Sequence, residues 1–354
     1  MRSRIRSRER LTWLALAIVI AGAANAEEPA KWLQRMNHAL STLNYDGTLA
    51  HWQGGKVEML RIVHRVQDGI VSERLVSLDG SGREFIRVGS KLTCYLPDKH
   101  VVLVERTPAK VSLLGEFPAF NQQTARFYDI KDVSSMRFDG RNTHLITVMP
   151  RDQYRYGYRL WIDDATAMPL KTQLCDGHGK VIEQIVFARL KIRRHIPGSA
   201  FRPGISTAGF RWLRNDSVPV KETVAQSGMV WSVERLPPGF HMAARAAQTM
   251  PGAPGPVDHL VFTDGLASVS VFVETHAEAP PGQAPKVEAA HVGSSYAFST
   301  VVDGHKVTAV GEAPAATVRF IADSVKGQRV SGSAPPDTLG TLPPSPFAHS
   351  TPPN

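Results

Sequence analysis

Two β-rich parts of unequal size, each carrying one helix, make this 354-residue chain an α+β protein on sequence grounds. In the larger part, strand-length runs recur between turn dipeptides, and Asp-Gly alone starts at Asp46, Asp68, Asp79, Asp139 and Asp176. Hairpins of this kind need only two turn residues, so consecutive runs form an antiparallel meander. One amphipathic segment precedes those runs, and a meander of this size forms a strongly curved sheet or an open barrel with the helix covering its concave face. A stretch broken by Pro-Gly pairs then leads into the smaller part, which closes on a terminal helix. With 42% hydrophobic and 21% charged residues, the chain is an ordinary globular protein long enough for two domains, not a disordered, collagenous or coiled-coil one.

Only Leu11 to Ala21 is continuously apolar, which excludes a polytopic membrane protein. The run follows Arg2, Arg4, Arg6, Arg8 and Arg10 and precedes Ala24-Asn25-Ala26. This order is that of a secretory signal peptide over residues 1–26, cleaved between Ala26 and Glu27. The run is short for a span of about 20 residues, which favours cleavage over a retained anchor. No cysteine follows to carry a lipid. Five arginines and Glu9 leave with the segment, so the net charge falls from +9 to +5. Such an excess suits anionic partners and is no nucleic-acid signature. The short, small-residue form of the segment suggests the periplasm of a Gram-negative cell, and a secreted protein has the same form; either compartment is oxidising and permits Cys94 and Cys175 to pair. A disulfide and two buried thiols are both compatible with their places on expected strands.

Residues 27–191 form the first domain. Trp32, Leu33, Met36, Ala39, Leu40 and Leu43 share one face of a helix over Pro29 to Leu43, stopped by the turn cluster Asn44-Tyr45-Asp46-Gly47. Strands are expected over residues 56–66, 70–78, 83–88, 91–96, 101–106, 143–149, 155–162, 168–175 and 181–192. Between them, Pro108 to Tyr128 is apolar without alternation, as a lid, a pocket segment or a short helical plug would be. Residues 192–216, with Arg193-Arg194-His195, Pro197-Gly198 and Pro203-Gly204, read as an extended linker. The second domain, residues 217–327, is expected to hold strands over 217–225, 229–234, 259–262, 266–274, 295–302 and 306–310. A helix from Pro314, ended by Gly327, completes it. The tail, residues 328–354, is proline-rich and reads as disordered.

Motifs of the well-marked enzyme classes are missing: there is no HExxH, no GxSxG elbow, no phosphate-binding loop and no dinucleotide fingerprint. Cys175-Asp176-Gly177-His178 is the nearest to a metal or nucleophile cluster, yet no second pair stands at ligand spacing, and a hairpin turn explains it better. Tyr154-Arg155-Tyr156-Gly157-Tyr158-Arg159-Leu160-Trp161 alternates aromatic and basic groups. It suits either a grip on sugars or lipid headgroups or, on β-propensity, a half-buried strand. Arg61, Arg65, Arg74, Arg83 and Arg87 lie on neighbouring expected strands, as a positive anion-binding face or a merely solvated one.

Particular residues then carry more than periodicity does. The helix ending in Met36…Leu43-Asn44-Tyr45 is followed by Leu78-Asp79-Gly80…Arg83-Glu84, Tyr158-Arg159-Leu160-Trp161-Ile162-Asp163 and Met168-Pro169-Leu170. After them come Asp176-Gly177…Gly179-Lys180-Val181-Ile182-Glu183-Gln184, Trp231 with Leu236-Pro237-Pro238-Gly239-Phe240, Phe262-Thr263-Asp264-Gly265-Leu266 and Val310-Gly311-Glu312…Pro314. In this order the chain resembles the RseB/MucB family, periplasmic negative regulators of the envelope-stress sigma factor (sigma-E/AlgU). The resemblance implies a first domain similar to the half-open LolA/LolB barrel. It implies binding to the periplasmic segment of an RseA/MucA-type transmembrane anti-sigma factor, which is thereby protected from regulated proteolysis. It further implies release by lipopolysaccharide or another acylated ligand, with outer-membrane protein segments as a further signal and self-association compatible with all of this. No cofactor, metal or catalytic residue is implied. Ligand sensing is expected at Asp79, Gly80, Arg83, Glu84 and Arg87, and partner binding at Trp231, Leu236, Phe240, Phe262 and Leu266. A LolA-type lipid or lipoprotein carrier is the alternative, and the extra second domain argues against it.

Overall fold

The computed structural model describes residues 29–106, 112–114, 124–215, 229–249, 255–274 and 288–329. The signal segment with its Ala26–Glu27 junction, most of the 108–128 stretch, the strand expected over 217–225 and nearly all of the tail lie outside those residues.

Helix α1 (Pro29–Thr42) opens the first domain. Its apolar face buries Trp32, Leu33, Met36 and Ala39 against the sheet, roughly 1.5–3 kcal/mol for each large side chain. Trp32 also stacks on His144 at 4.1 Å, and the guanidinium of Arg35 covers the indole at 4.0 Å. The strands are β1 (Tyr45–Gln53), β2 (Lys56–Gln67), β3 (Ile70–Ser77), β4 (Glu84–Val88), β5 (Lys91–Leu96) and β6 (Val101–Arg106). A second series follows: β7 (Tyr128–Phe138), β8 (Arg141–Pro150), β9 (Gly157–Asp163), β10 (Pro169–Cys175), β11 (Val181–Ile192) and β12 (Arg211–Asn215). They form one open sheet in the order β12-β6-β5-β4-β3-β2-β1-β11-β10-β9-β8-β7. Two meanders are thus fused where β1 pairs with β11, Tyr45 opposite Ile192. The half-open antiparallel sheet with a helical plug is the architecture expected.

Asp68-Gly69 and Asp139-Gly140 both have positive φ at the two central positions, the backbone that two-residue hairpins require. Asp46-Gly47 departs from that reading. It lies inside β1, because the ring of Phe187 crosses that strand where any side chain on Gly47 would stand 2.6 Å away. This glycine serves close approach, not a turn.

The segment expected as a linker is extended but bound. Ile196 and Phe201 join Val63, Ile86, Tyr95, Val102 and Val104 in a second small core on the outer face of the sheet. The carbonyls of Ile196 and Ala200 accept from Arg65 and Arg74, and both oxygens of buried Glu84 accept from the Gly204 N–H. Beyond Arg211 the chain joins β6 as a parallel strand. Proline kept the segment out of the antiparallel ladder without keeping it off the sheet.

The second domain holds β13 (Met229–Val233), β14 (His241–Thr249), β15 (Pro256–Thr263), β16 (Ser268–Glu274), β17 (Glu288–Val292), β18 (Ser295–Val302) and β19 (His305–Gly311). Helix α2 (Ala315–Asp323) and β20 (Val325–Arg329) end it. Six strands pair antiparallel in the order β14-β15-β16-β19-β18-β17, and β13 pairs with β20. Helix α2 covers the sheet with Val318, Ile321 and Ala322 in a core that includes Trp231, Phe240, Phe262, Val269 and Val271. The helix stops at Asp323, before Gly327. That glycine sits in β20, where Met229 and the Trp231 indole leave no room for a Cβ.

Candidate functional site

The polar groups the fold buries collect at two places, one inside the first domain and one on the seam between the domains. Inside, the carboxylate of Glu73 on β3 is fully buried and pairs with Arg87 on β4, Oε2 to Nη2 at 2.9 Å and to Nε at 3.1 Å. The same carboxylate accepts from the Leu113 N–H and the Ser112 hydroxyl, each at 2.8 Å. His64 on β2 puts Nε2 3.9 Å from Glu73, while its Nδ1 donates to the carbonyl of Leu43 just past α1. Burial lowers the pKa of His64 and keeps the imidazole neutral there. One carboxylate therefore ties β3, β4 and residues 112–113 together, with His64 linking it to the end of α1.

Across the seam, the Tyr154-Arg155-Tyr156 run that precedes β9 is the docking ridge. Tyr154 accepts the Thr317 hydroxyl of α2 on its carbonyl at 2.7 Å and meets Phe320 edge-on. Arg155, fully buried, donates Nε to Asp264 at 2.5 Å and makes short contacts to Asp152 and to the carbonyl of Pro238. Its guanidinium lies over Phe127 at 4.4 Å and Phe240 at 5.3 Å. The Tyr156 hydroxyl donates to the Ser294 and Ala313 carbonyls, 3.1 and 3.2 Å away. The aromatic–basic alternation thus divides in two: from Gly157 onward it is strand, and before that it is the contact with the second domain. Gly239 of the Pro-Pro-Gly turn has φ +83°, and Phe127 stands where its Cβ would be, so only glycine closes the seam here. Leu266 packs on the first domain's core.

A smaller polar cluster completes the seam. Glu183 on β11 accepts from His51 at 2.8 Å, from Gln53 at 2.9 Å and from the Ser294 hydroxyl of the second domain at 2.9 Å. The bond to Glu183 raises the pKa of His51 against the opposing effect of burial. Burial pushes Glu183 upward, but the hydrogen bonds from His51 and Ser294 outweigh it and the net shift is downward. Glu312 is raised, by burial first and then by the charge of Glu183. His51 therefore stabilises the fold fully below about pH 6.5, the unfolded value, and loses that contribution as pH rises through its raised one, while Glu312 costs stability as it ionises. Glu183 contributes fully above about pH 4.3, the unfolded value, and loses its share as pH falls through its lowered one. The His51 and Glu183 contributions overlap best between about pH 5 and 6.5. Glu183→Gln is accordingly expected to lower the thermal midpoint most in that window, with the gap to the parent narrowing toward pH 4 and toward pH 8. A gap independent of pH would contradict it.

The expected ligand-sensing residues are not brought together. Asp79 and Gly80 sit in the turn after β3. There the Asp79 carboxylate accepts from the Ser81 N–H, and Arg83 bridges Asp79 and Glu58 at 3.0 and 2.8 Å. Glu84 faces the outer side, under residues 200–204, and Arg87 faces inward to Glu73. The positive face does not form either. Arg61 pairs with Asp46, Arg65 covers Phe201, and Arg74 pairs with Glu84. Of the expected partner-binding residues, Trp231, Phe240 and Phe262 are buried in the second core, Leu236 packs against it, and Leu266 lies at the seam. Cys94 and Cys175 are free and buried; burial pushes Cys94 up to about 11 and raises Cys175 too, so both stay thiols. The Cys175–His178 cluster is a turn, with Asp176 accepting from the His178 and Lys180 N–H groups. Among the described residues no helix is long and apolar enough to cross a membrane.

Comparison with known proteins matches these two units separately. The model of the MucB/RseB N-terminal domain matches residues 28–205, and that of the MucB/RseB C-terminal domain residues 225–326. The sigma factor AlgU regulatory protein MucB of Pseudomonas aeruginosa is 31% identical over 311 residues, 88% of this chain and 94% of the relative. The sigma-E factor regulatory protein RseB of Salmonella typhimurium is 30% identical over 325 residues, 90% of this chain and 98% of the relative. The crystal structure of MucB in complex with periplasmic MucA superposes with a TM-score of 0.66 at 28% identity, covering 86% of this chain and all of that one.

Proposed function

Because the chain belongs to the MucB/RseB family, we propose that it is an exported regulator that holds the periplasmic segment of a MucA-type transmembrane anti-sigma factor. The likeness of both domains together to MucB in its complex with MucA carries this reading. In it, the bound segment is shielded from regulated proteolysis, and the envelope-stress sigma factor stays restrained. Lipopolysaccharide or another acylated ligand, or an outer-membrane protein segment, releases it. Such a ligand frees the partner only by the difference in its affinity for the free and partner-bound forms. The seam is well suited to carry that difference, because it is polar and buried and joins two separately packed cores. Of the residues expected to bind, Asp79, Gly80, Arg83, Leu236 and Leu266 are the ones not fully buried, and contact is proposed there.

The test uses the chain without its first 26 residues, immobilised and exposed to membrane extract from its own host, with and without lipopolysaccharide. Capture of a single-span anti-sigma factor that lipopolysaccharide releases is the expected result. Recovery of lipids or lipoproteins alone would overturn the reading in favour of a carrier.

A further inference from the structure

The outer-face segment ends at the margin of the large sheet, and that margin is unusual. We propose that the free edge of β12 binds an extended acidic peptide, which adds to the sheet as a further strand. The N–H of Arg211 donates to the carbonyl of His100 at 2.9 Å, so residues 211, 213 and 215 turn their backbone groups toward β6. By strand alternation the N–H and C=O groups of Trp212 and Arg214 point away from the sheet. Among the described residues no strand pairs with that side. Edge strands are ordinarily blunted by proline, a bulge, a covering element, shortness or charge. This one is five residues long and carries Arg211 and Arg214, but among the described residues it has no proline, bulge or cover, and it exposes Trp212 by 48% and Leu213 by 41%.

Charge selects the occupant. Trp212 and Arg214 line a cavity of ≈ 410 Å³ with Lys91, Val104, Glu105 and Arg106. Lys91, Arg106 and Arg214 are exposed and have no carboxylate partner among the described residues, and Glu105 is the single acid beside them. Three cations, one each from β5, β6 and β12, share one face of the sheet margin with the Trp212 indole, and they call for carboxylates at alternate positions of the added strand, since only those share a face. A second copy of the chain is the poorer occupant, because edge-to-edge pairing would bring two such cation sets together.

The probe is a synthetic peptide of about ten residues, a strand's length, alternating glutamate and threonine. Its controls are the same composition with the glutamates in one block and the peptide with lysine for glutamate. Binding is followed by titration calorimetry in the preparation already described. The alternating peptide is expected to bind at least ~10-fold tighter than either control and to weaken with salt. Arg106→Glu with Arg214→Glu is expected to abolish that preference. Trp212→Pro is expected to bind at least ~3-fold more weakly than Trp212→Ala, because it alone removes an outward N–H, while pairing to β6 is kept. Matching thermal midpoints establish that both variants are folded. Equal binding by the two Trp212 variants, equal binding of the lysine peptide, or sedimentation showing the edge occupied by a second copy would each overturn the proposal. The probe is synthetic, so the outcome is independent of what the regulator's natural partner proves to be.

Discussion

Asp264→Asn is expected to undock the second domain while both cores stay folded. The substitution keeps an oxygen at Oδ1, which accepts from Leu266 and Ala267 and shapes the turn between β15 and β16. It removes the charge that faces Arg155, whose side chain has no exposed surface. Asp152 remains, but it is a quarter exposed and belongs to the first domain, so it holds Arg155 without holding the second domain. Losing a charged hydrogen-bond partner inside the seam costs about 1.5–3 kcal/mol, because Arg155 stays in place without solvent and keeps Asp152 alone as its counter-charge. Here that loss falls on docking, since Arg155 touches the second domain and neither core contains it. Small-angle scattering should show a longer molecule, and thermal unfolding should split into two transitions. A single transition with unchanged scattering would sink the idea. Arg155→Met on the Asp264→Asn background should restore much of the docking, since methionine still packs on Phe127 and Phe240 and leaves no buried cation.

Such a seam is hard to see in a sequence, and the reasons are physical. Tyr154, Arg155 and Tyr156 are conspicuous as an aromatic–basic run, but their partners are Thr317, Asp264, Ser294 and Ala313, more than a hundred residues downstream. Local pattern fixes what a residue offers and not what meets it. The same limit hid the β1–β11 pairing that fuses the two meanders, whereas the β2–β3 and β4–β5 hairpins were legible because turn and both strands are contiguous. Strands β7 and β14 were missed for a different reason. Asp129-Ile130-Lys131-Asp132 and Ala243-Ala244-Arg245-Ala246 are poor in β-branched and aromatic residues, and only tertiary pairing makes strands of them. Helix α1 was legible because one apolar stripe must be covered and four of its residues are.

The charged residues show the sharper lesson. Arg61, Arg65, Arg74, Arg83 and Arg87 were expected as one surface, yet strand alternation sends Arg74 to the outer side and Arg87 inward. Each then finds a carboxylate, a carbonyl or a ring that periodicity alone cannot assign. Trp231, Phe240 and Phe262 fill a core for the complementary reason: large apolar groups in a small domain are needed inside before any is spared for a partner.

Glu73→Gln is expected to lower stability toward urea by about 1.5–3 kcal/mol, the range for losing hydrogen bonds to a charged group. Arg87 is nearly inaccessible and pairs with that carboxylate through two nitrogens, so the amide leaves the guanidinium buried beside a neutral group. Arg87→Met removes the cation from the opposite side and leaves Glu73 its bonds from Ser112 and Leu113. The Glu73 variant should also loosen residues 112–113, whose amide and hydroxyl lose their charged acceptor, and amide exchange at Leu113 reads this directly. A loss below about 1 kcal/mol, that of an ordinary hydrogen bond, or unchanged exchange at Leu113 would mean that the pair is not the hub of the first domain's interior. If both results hold, the domain carries a buried ionic tie where an apolar core would be the simpler choice. An apolar pair of similar volume, Glu73→Leu with Arg87→Leu, should then be at least as stable as either single variant while leaving residues 112–113 untied.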